Sequence, residues 1–323
     1  MSEVAWIGDL KSNAKETNMI DADETFNGTW PFKPHFTDAP GFKMHYVDEG
    51  NGEVILPIHG EPTWGYLYRK FIPPLSKDYR VVVPDHMGFG KSETPRDREY
   101  TLKTHVENLA KFILELDLQD ITLVVQDWGG PIGGCITADH FDRIKRVFVM
   151  NTIFYPYAQF TAEMGETLTS SRWFTWVQRA QTDGSIEAIL GSLDVTVVGV
   201  MKHLMGFENS EVINEDWEAA YGSPFMSREE SLGAIAFPLD VVTGKFVHRD
   251  PPTEAQLTAL RQKPAMLATG VQDHAIPTAV TIEAFKQTFG EKPIVELENA
   301  GHFLQEDEPE LLVALIQQFM QST

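Results

Sequence analysis

The sequence predicts an α/β protein: a mostly parallel central sheet flanked by helices, with a helical cap inserted late in the chain. Three observations lead there. Between Phe42 and Asn151, short continuous apolar runs alternate with segments of helical period, as a parallel sheet covered on both faces requires. From Ile153 to about Ile235 the alternation stops and aromatic, helix-compatible stretches take over. Alternation then resumes at Ala265 and runs to the C-terminus. The expected division is therefore 1–152 as the first part of the core, 153–236 as a helical cap, and 237–323 as the second part of the core.

Residues 1–40 are polar, dotted with Pro and Asp, and lack a sustained period, which predicts an arm lying over the core. Phe42 to Asp48 alternates as a strand does and is closed by Glu49-Gly50-Asn51-Gly52. Val54 to Ile58 is a short apolar strand leading into His59-Gly60-Glu61-Pro62-Thr63-Trp64, and Tyr66 to Leu75 is predicted as a helix. Arg80 to Pro84 is a buried-type strand. The glycine-rich loop after it, Asp85 to Ser92, invites a phosphate-binding reading, but only Gly90-Lys91-Ser92 fits the phosphate-loop spacing. Leu102, Val106, Leu109, Phe112, Ile113 and Leu116 mark one face of an amphipathic helix. Strands follow at Ile121–Val125 and Val147–Met150, with a helix from Pro131 to His140 between them. Val195 to Val198 has strand propensity, but its surroundings favour helix. Ala265–Gly270 and Pro293–Leu297 are the last strands, separated by a helix from Thr278 to Phe289. Pro309 opens a final amphipathic helix.

Composition excludes several function classes. Lys and Arg total 26 against 47 for Asp and Glu, a formal net charge of -21 that repels phosphate backbones and anionic membranes. Neither a nucleic-acid nor a membrane partner is expected. Cys135 is the only cysteine, so there is no intramolecular disulfide and no cysteine-based metal site. No apolar run reaches the ~18 to 20 residues of a membrane span. The stretch Met1 to Ala5 lacks the basic start and apolar core of a secretion signal, so a cytoplasmic location is the default expectation. A monomer or weak homo-oligomer is expected.

The chemistry concentrates at Leu123-Val124-Val125-Gln126-Asp127-Trp128-Gly129-Gly130. An apolar strand, a sharp glycine turn and a helix make a nucleophile elbow, the device of α/β-hydrolase folds, with Asp in place of the usual Ser. Asp127, Asp273 and His302, each at a predicted strand end, follow in the chain order nucleophile, acid, histidine. A carboxylate is already ionised at neutral pH and needs no base for its first attack. It suits displacement at an sp3 carbon, which leaves an alkyl ester on the enzyme. Water must then cleave that ester, and His302, oriented by Asp273, can take the water's proton. The backbone N–H groups of Trp128 and Glu61 are candidates to stabilise the oxyanion. A halide leaving group wants donors without lone pairs, and indole N–H groups supply them. Trp128 is one candidate, and Trp176 or Trp173 in the cap the other. An epoxide would instead call for a proton donor, and Tyr155, Tyr157 and Tyr221 exist in the cap. A non-catalytic binding protein on the same fold is the third alternative.

The segments His59 to Trp64, Asp85 to Ser92, Val124 to Gly130 and Ala300-Gly301-His302-Phe303 together resemble the haloalkane dehalogenases. The resemblance is closest to the branch with Glu after His-Gly and a Trp-Trp halide site. It spans about Phe42 to Asn151 and about Phe237 to the C-terminus. It implies Asp127 as nucleophile, His302 as base and Asp273 as third member, with Glu61 beside the hydrolytic water and oxyanion. It also implies Trp128 and a cap tryptophan, assigned to Trp176 with Trp173 as the fallback, as halide donors. Phe237, Pro238, Ala275 and Ile276 would line the substrate cavity. The implied substrate is small, halogenated and hydrophobic, with water as co-reactant, halide as product, and no cofactor or metal. Two departures from the pattern imply a roomier cavity: Pro131 stands where relatives carry an aromatic, and Ala275 where they carry leucine.

Overall fold

The computed structural model describes residues 20–323. In chain order the elements are β1 (His35–Thr37), β2 (Met44–Glu49), β3 (Val54–Ile58), a 3-10 turn (Gly65–Tyr68), α1 (Ile72–Leu75), β4 (Arg80–Pro84), α2 (Leu102–Glu115), β5 (Ile121–Gln126), α3 (Gly129–Asp139) and β6 (Ile144–Met150). A long helical stretch without strands follows: α4 (Ala162–Thr169), α5 (Arg172–Asp183), α6 (Ile186–Leu190), α7 (Leu193–Val198), α8 (Glu215–Gly222), α9 (Leu232–Val242) and α10 (Glu254–Gln262). The chain closes with β7 (Ala265–Gly270), α11 (Thr278–Phe289), β8 (Ile294–Leu297), α12 (Leu304–Asp307) and α13 (Pro309–Ser322).

One sheet holds all eight strands in the order β1-β2-β4-β3-β5-β6-β7-β8. The first two pairings are antiparallel and the remainder parallel, giving the mostly parallel sheet expected from the alternation. Every residue of β3 and β5 is buried, which is why both read as unbroken apolar runs. The chain leaves β3 toward β4 on one side, then returns to place β5 on the other. The loops after β3 and β5 therefore diverge at a topological switch point, where open α/β sheets form their ligand crevice. Those loops carry Glu61 and Asp127.

Several local expectations change on folding. The helix expected over Tyr66–Leu75 splits into the 3-10 turn and α1, because Pro73 and Pro74 supply no N–H to continue a ladder between them. The arm contains a strand, β1, too short to carry a period of its own. Residues 1–19 of that arm lie outside the described residues, while Phe26 and Trp30 are buried edge-on against Trp64. The boundary drawn between 236 and 237 falls inside a single helix, α9, with Pro238 in its interior. The ambiguous Val195–Val198 run is helical, within α7.

The inserted helices are tied to the sheet by backbone. The carbonyls of Met205 and Gly206, at the end of a π-helical stretch, accept the amides of His274 at 2.9 Å and His302 at 2.7 Å. The Trp173 amide donates to the carbonyl of His274 at 3.1 Å. The loops bearing Asp273 and His302 are thus held by the same segment that roofs them. A buried ion pair adds a second tie: Arg69 forks onto Glu306 at 2.6 and 2.7 Å, and the Tyr221 hydroxyl of α8 donates to the same carboxylate. In the glycine-rich loop, Asp85 is fully buried and accepts from the amides of Gly65 and Lys91, with His45 at 2.7 Å. Lys91 spends its ammonium on the carbonyls of Ala22 and Glu24. Those contacts make the loop a structural clamp in place of a phosphate cradle.

The start of α3 leaves no room for a side chain. A Cβ at Gly129 would lie 2.2 Å from the carbonyl oxygen of Ile58. Gly129→Ala is therefore expected to destabilise the fold by about 1 to 3 kcal/mol. Gly165→Ala in α4, where nothing lies within 4 Å of the new methyl, is expected to be neutral or stabilising. Urea midpoints of the two variants test the contrast.

Candidate active site

Asp127 ends β5 and precedes α3 with a φ of 49°, in the left-handed region that non-glycine residues rarely occupy. The conformation is over-determined by its neighbours. The Glu61 amide donates to Asp127 Oδ1 at 2.7 Å, and the Thr152 hydroxyl donates to the Asp127 carbonyl. Gly60 admits this approach, since a Cβ there would sit 2.2 Å from Asp127 Oδ1. The two strand-end loops of the switch point are therefore in direct contact through the carboxylate. Of the two backbone donors expected at Asp127, Glu61 makes the contact. The Trp128 amide is one of the first-turn N–H groups that α3 cannot satisfy internally.

The three residues in hydrolase order come together. His302 is fully buried, with Nδ1 2.9 Å from Asp273 Oδ2 and Nε2 3.2 Å from Asp127 Oδ2. Asp273 is fixed in turn by the amides of Ala275 and Ile276 at 2.7 and 2.8 Å. Burial opposes charge on the imidazole, but the Asp273 charge and the hydrogen bonds to Asp127 and Asp273 outweigh it and raise His302 to about 10. These partners favour the charged form of the ring. Glu61 behaves in the opposite way. Its carboxyl is buried, neither oxygen has a protein partner, and burial followed by the nearby Asp127 charge pushes its pKa well above the usual carboxylate range. Burial without a cation partner thus disfavours charge on Glu61.

A cavity of about 550 Å³ opens over Asp127 and is lined mainly by apolar side chains from the β6–α4 segment, α4, α5, α9 and the chain after it. Glu61, Asp127, Trp128, Pro131, Pro238, Ala275 and Ile276 are among its walls. Two sequence expectations need correction. Trp176 does not line the cavity; Trp173 does, and Trp176 is half-buried and stacked on it at 5.1 Å. The two share a face of α5, and the Trp173 amide, bonded to the His274 carbonyl at 3.1 Å, anchors the Trp173 end of that face at the loop carrying Asp273. Phe237 is likewise absent from the walls. It stacks on Trp128 at 4.2 Å and 13°, on the side packed against His105 and Phe89. Among the described residues, neither the Trp128 nor the Trp173 indole N–H has a protein acceptor.

Three supporting residues escaped attention in the sequence. The Gln126 Nε2 lies 3.1 Å from His302 Nε2 and donates to the His302 carbonyl at 3.2 Å. Asp127, an acceptor, and Gln126, a donor, thus face the same ring nitrogen and favour its protonated and neutral forms respectively. Asn151, at the end of β6, donates to the Gly301 carbonyl at 2.7 Å and accepts from the Gly270 amide at 2.8 Å, clamping the β7 and His302 loops together. Thr152 fixes the elbow, as described. Gln126 was visible as a polar residue closing an apolar strand; Asn151 and Thr152 carried no signal beyond following a strand.

The comparisons with known proteins agree with this geometry. A family model described as the alpha/beta hydrolase fold matches residues 53–182. A haloalkane dehalogenase of Mycobacterium marinum is 35% identical over 304 residues, covering 89% of this chain and 94% of its own length. A cis-3-alkyl-4-alkyloxetan-2-one decarboxylase of Shewanella oneidensis is 29% identical, covering 91% of this chain and 90% of its own. The solved tetrameric haloalkane dehalogenase DpaA of Paraglaciecola agarilytica superposes with a TM-score of 0.70 at 27% identity, covering 91% of this chain and 94% of that one. With a relative of that identity and coverage, an eight-stranded α/β-hydrolase sheet and an Asp at the elbow, this chain is a hydrolase and belongs to the haloalkane dehalogenase family.

Proposed function

We propose that the protein hydrolyses haloalkanes to an alcohol and a halide through an ester on Asp127. The observation that carries the reading is a carboxylate at the floor of an apolar cavity whose walls include Trp128 and Trp173, two side chains whose indole N–H groups have no protein acceptor among the described residues. Asp127 Oδ1 is held by the Glu61 amide and Oδ2 lies 3.2 Å from His302 Nε2; Oδ2 gives up that contact to form the new bond to carbon while the carbon–halogen bond breaks. The halide departs with the bonding electrons and is received by Trp128 and Trp173. Trp173 takes the role first assigned to Trp176, because it lies on the cavity wall.

Esterification removes the Asp127 charge, one of the causes that hold His302 protonated. With the Gln126 amide still donating toward Nε2, the imidazolium releases its Nε2 proton to solvent and becomes the neutral base. His302 then takes a proton from water as the water oxygen attacks the Asp127 carboxyl carbon. The Glu61 amide stabilises the oxyanion on Oδ1. Collapse breaks the bond between the carboxyl carbon and the ester oxygen Oδ2, and His302 passes its proton to the departing alkoxide. The water's second proton leaves the new carboxyl group for His302, which restores the carboxylate and the imidazolium. The net reaction consumes one water and yields alcohol, halide and a proton.

The epoxide alternative loses support from the tyrosines. Tyr221 donates to Glu306, and Tyr157 is absent from the cavity wall. Tyr155 lines the cavity, but its hydroxyl donates to the Arg249 carbonyl and accepts from the His248 and Arg249 amides. None of the three offers a free hydroxyl to an opening ring.

Three outcomes are expected. His302→Ala incubated with a bromoalkane accumulates an alkyl ester on Asp127, detected by mass spectrometry, whereas Asp127→Ala gains no adduct. An adduct on another residue reassigns the nucleophile, and absence of bromide release across a wild-type substrate panel overturns the reading. Trp173→Phe lowers kcat/KM for bromide release by on the order of 100-fold and Trp176→Phe by far less, read by halide assay. A larger loss for Trp176→Phe than for Trp173→Phe would return the role to Trp176. The His302 pKa, raised from 6.5 to about 10, stabilises the fold fully below 6.5, and the contribution is lost as pH rises through 10. Asp127→Asn removes one cause of the raise, so its His302 titrates at lower pH by NMR and its stability falls off earlier on the alkaline side.

A further inference from the structure

The cavity is much larger than the reaction at Asp127 demands, and its surplus space is apolar and open at one end. At roughly 30 Å³ per heavy atom, the liquid-phase share of one water, 550 Å³ has room for on the order of 18 heavy atoms. A four-carbon haloalkane would leave most of the walls without contact. Small or ring-shaped residues near the floor, Ala275 and Pro131, keep the lower part of the space open. At the other end, Phe160 and Val247 line the same cavity yet are 43% and 68% exposed. They come from the two segments on either side of the opening, the β6–α4 connection and the chain after α9. Exposing such side chains to water is unfavourable, and an apolar ligand lying between them removes that surface from solvent.

Beyond Glu61 and the two indoles, most polar groups on the walls are already occupied, the exposed Gln159 side chain being the exception. Arg249 forks onto Asp139 at 2.6 and 2.7 Å, and the Tyr155 hydroxyl is bonded to the backbone of His248 and Arg249. Thr152 and Thr169 spend their hydroxyls on the carbonyls of Asp127 and Gly165. Between the floor and the mouth little remains to recognise a polar tail, so selection along this path rests on apolar contact.

Resting on the dehalogenation reading above, we infer that the site selects terminal haloalkanes with a long unbranched tail. The reacting carbon sits at Asp127 and the tail extends between Phe160 and Val247. A tail of roughly 8 to 12 carbons, with its halogen and the hydrolytic water, fits the space. Each methylene taken out of water contributes about 0.8 kcal/mol, equal to roughly a fourfold gain.

The test is a series of 1-bromoalkanes of increasing length, with kcat/KM read from bromide release. The expected result is a rise of roughly fourfold per added methylene, or about two orders of magnitude from four carbons to eight, carried mainly by KM. Val247→Asp and Phe160→Ser are expected to raise KM for the long substrates at least tenfold more than for bromobutane. A kcat/KM that is flat or falling beyond four carbons, or mouth variants that affect all lengths alike, overturns the inference while leaving dehalogenation intact. A second measurement separates the two ideas: quenching of tryptophan fluorescence by 1-butanol and 1-decanol, with no turnover involved. Binding of decanol at least 100-fold tighter than butanol, with no bromide released from any substrate, would sink the dehalogenation reading and keep the long-tail site. Equal binding of the two alcohols overturns the long-tail site whatever the turnover.

Discussion

The left-handed backbone at Asp127 is the constraint on which the rest of the site depends. A strand must end, reverse and begin a helix within the space of one residue, and that residue must present a carboxylate. The φ of 49° is unfavourable for an aspartate by itself. It is held because β3 and β5 are fully buried neighbours and because the loop after β3 passes close enough for the Glu61 amide to reach Oδ1. Neither Gly60 nor Gly129 can accept a side chain without colliding with this junction. The strain at the elbow is thus supported by the packing of two central strands, every residue of which is buried.

Electrostatic order follows from the same compactness. Three carboxyl groups and an imidazole lie close together with little access to water, which is unfavourable unless charges are matched. His302 is matched by Asp127 and Asp273 and is held charged. Glu61 has no cation beside it, and its environment favours the neutral acid. Burial acts in the same direction on both groups, disfavouring charge, and the difference lies in the partners. A change that neutralises Asp127 removes one cause of the raised pKa at both His302 and Glu61, which couples the two halves of the proposed reaction electrostatically.

The cap contributes walls and also fixes the catalytic loops. Met205 and Gly206 bond to the amides of His274 and His302, so the helical insertion and the loops at the ends of β7 and β8 cannot shift independently. Asn151 binds those same loops from below. The cavity mouth is looser in kind: it is framed by connecting segments with exposed apolar residues. Rigidity near Asp127 and an open apolar rim farther out fit a site in which the chemistry is held constant and the length of the ligand varies.

Local pattern and covalent order were enough to reveal much of this protein. The period of the apolar residues identified the strands of the core, because a strand buried on both faces must be apolar throughout. The elbow, with its Asp between a buried strand and two glycines, was legible because that turn tolerates few residues. Asp127, Asp273 and His302 could be named from their order at strand ends, and folding brings them within hydrogen-bonding distance. Other features depended on neighbours distant in the chain. Which of Trp173 and Trp176 faces the cavity is set by the docking of α5 on the His274 loop, since both lie on an amphipathic helix in a segment with no strand to fix its phase. Phe237 sits behind Trp128 while Pro238 and Val241 of the same helix line the cavity, a division set by how α9 docks. The contacts of Gln126, Asn151 and Thr152 join residues far apart in sequence. A pattern along one chain carries the burial of each side chain, but only the packed molecule decides which partner it meets.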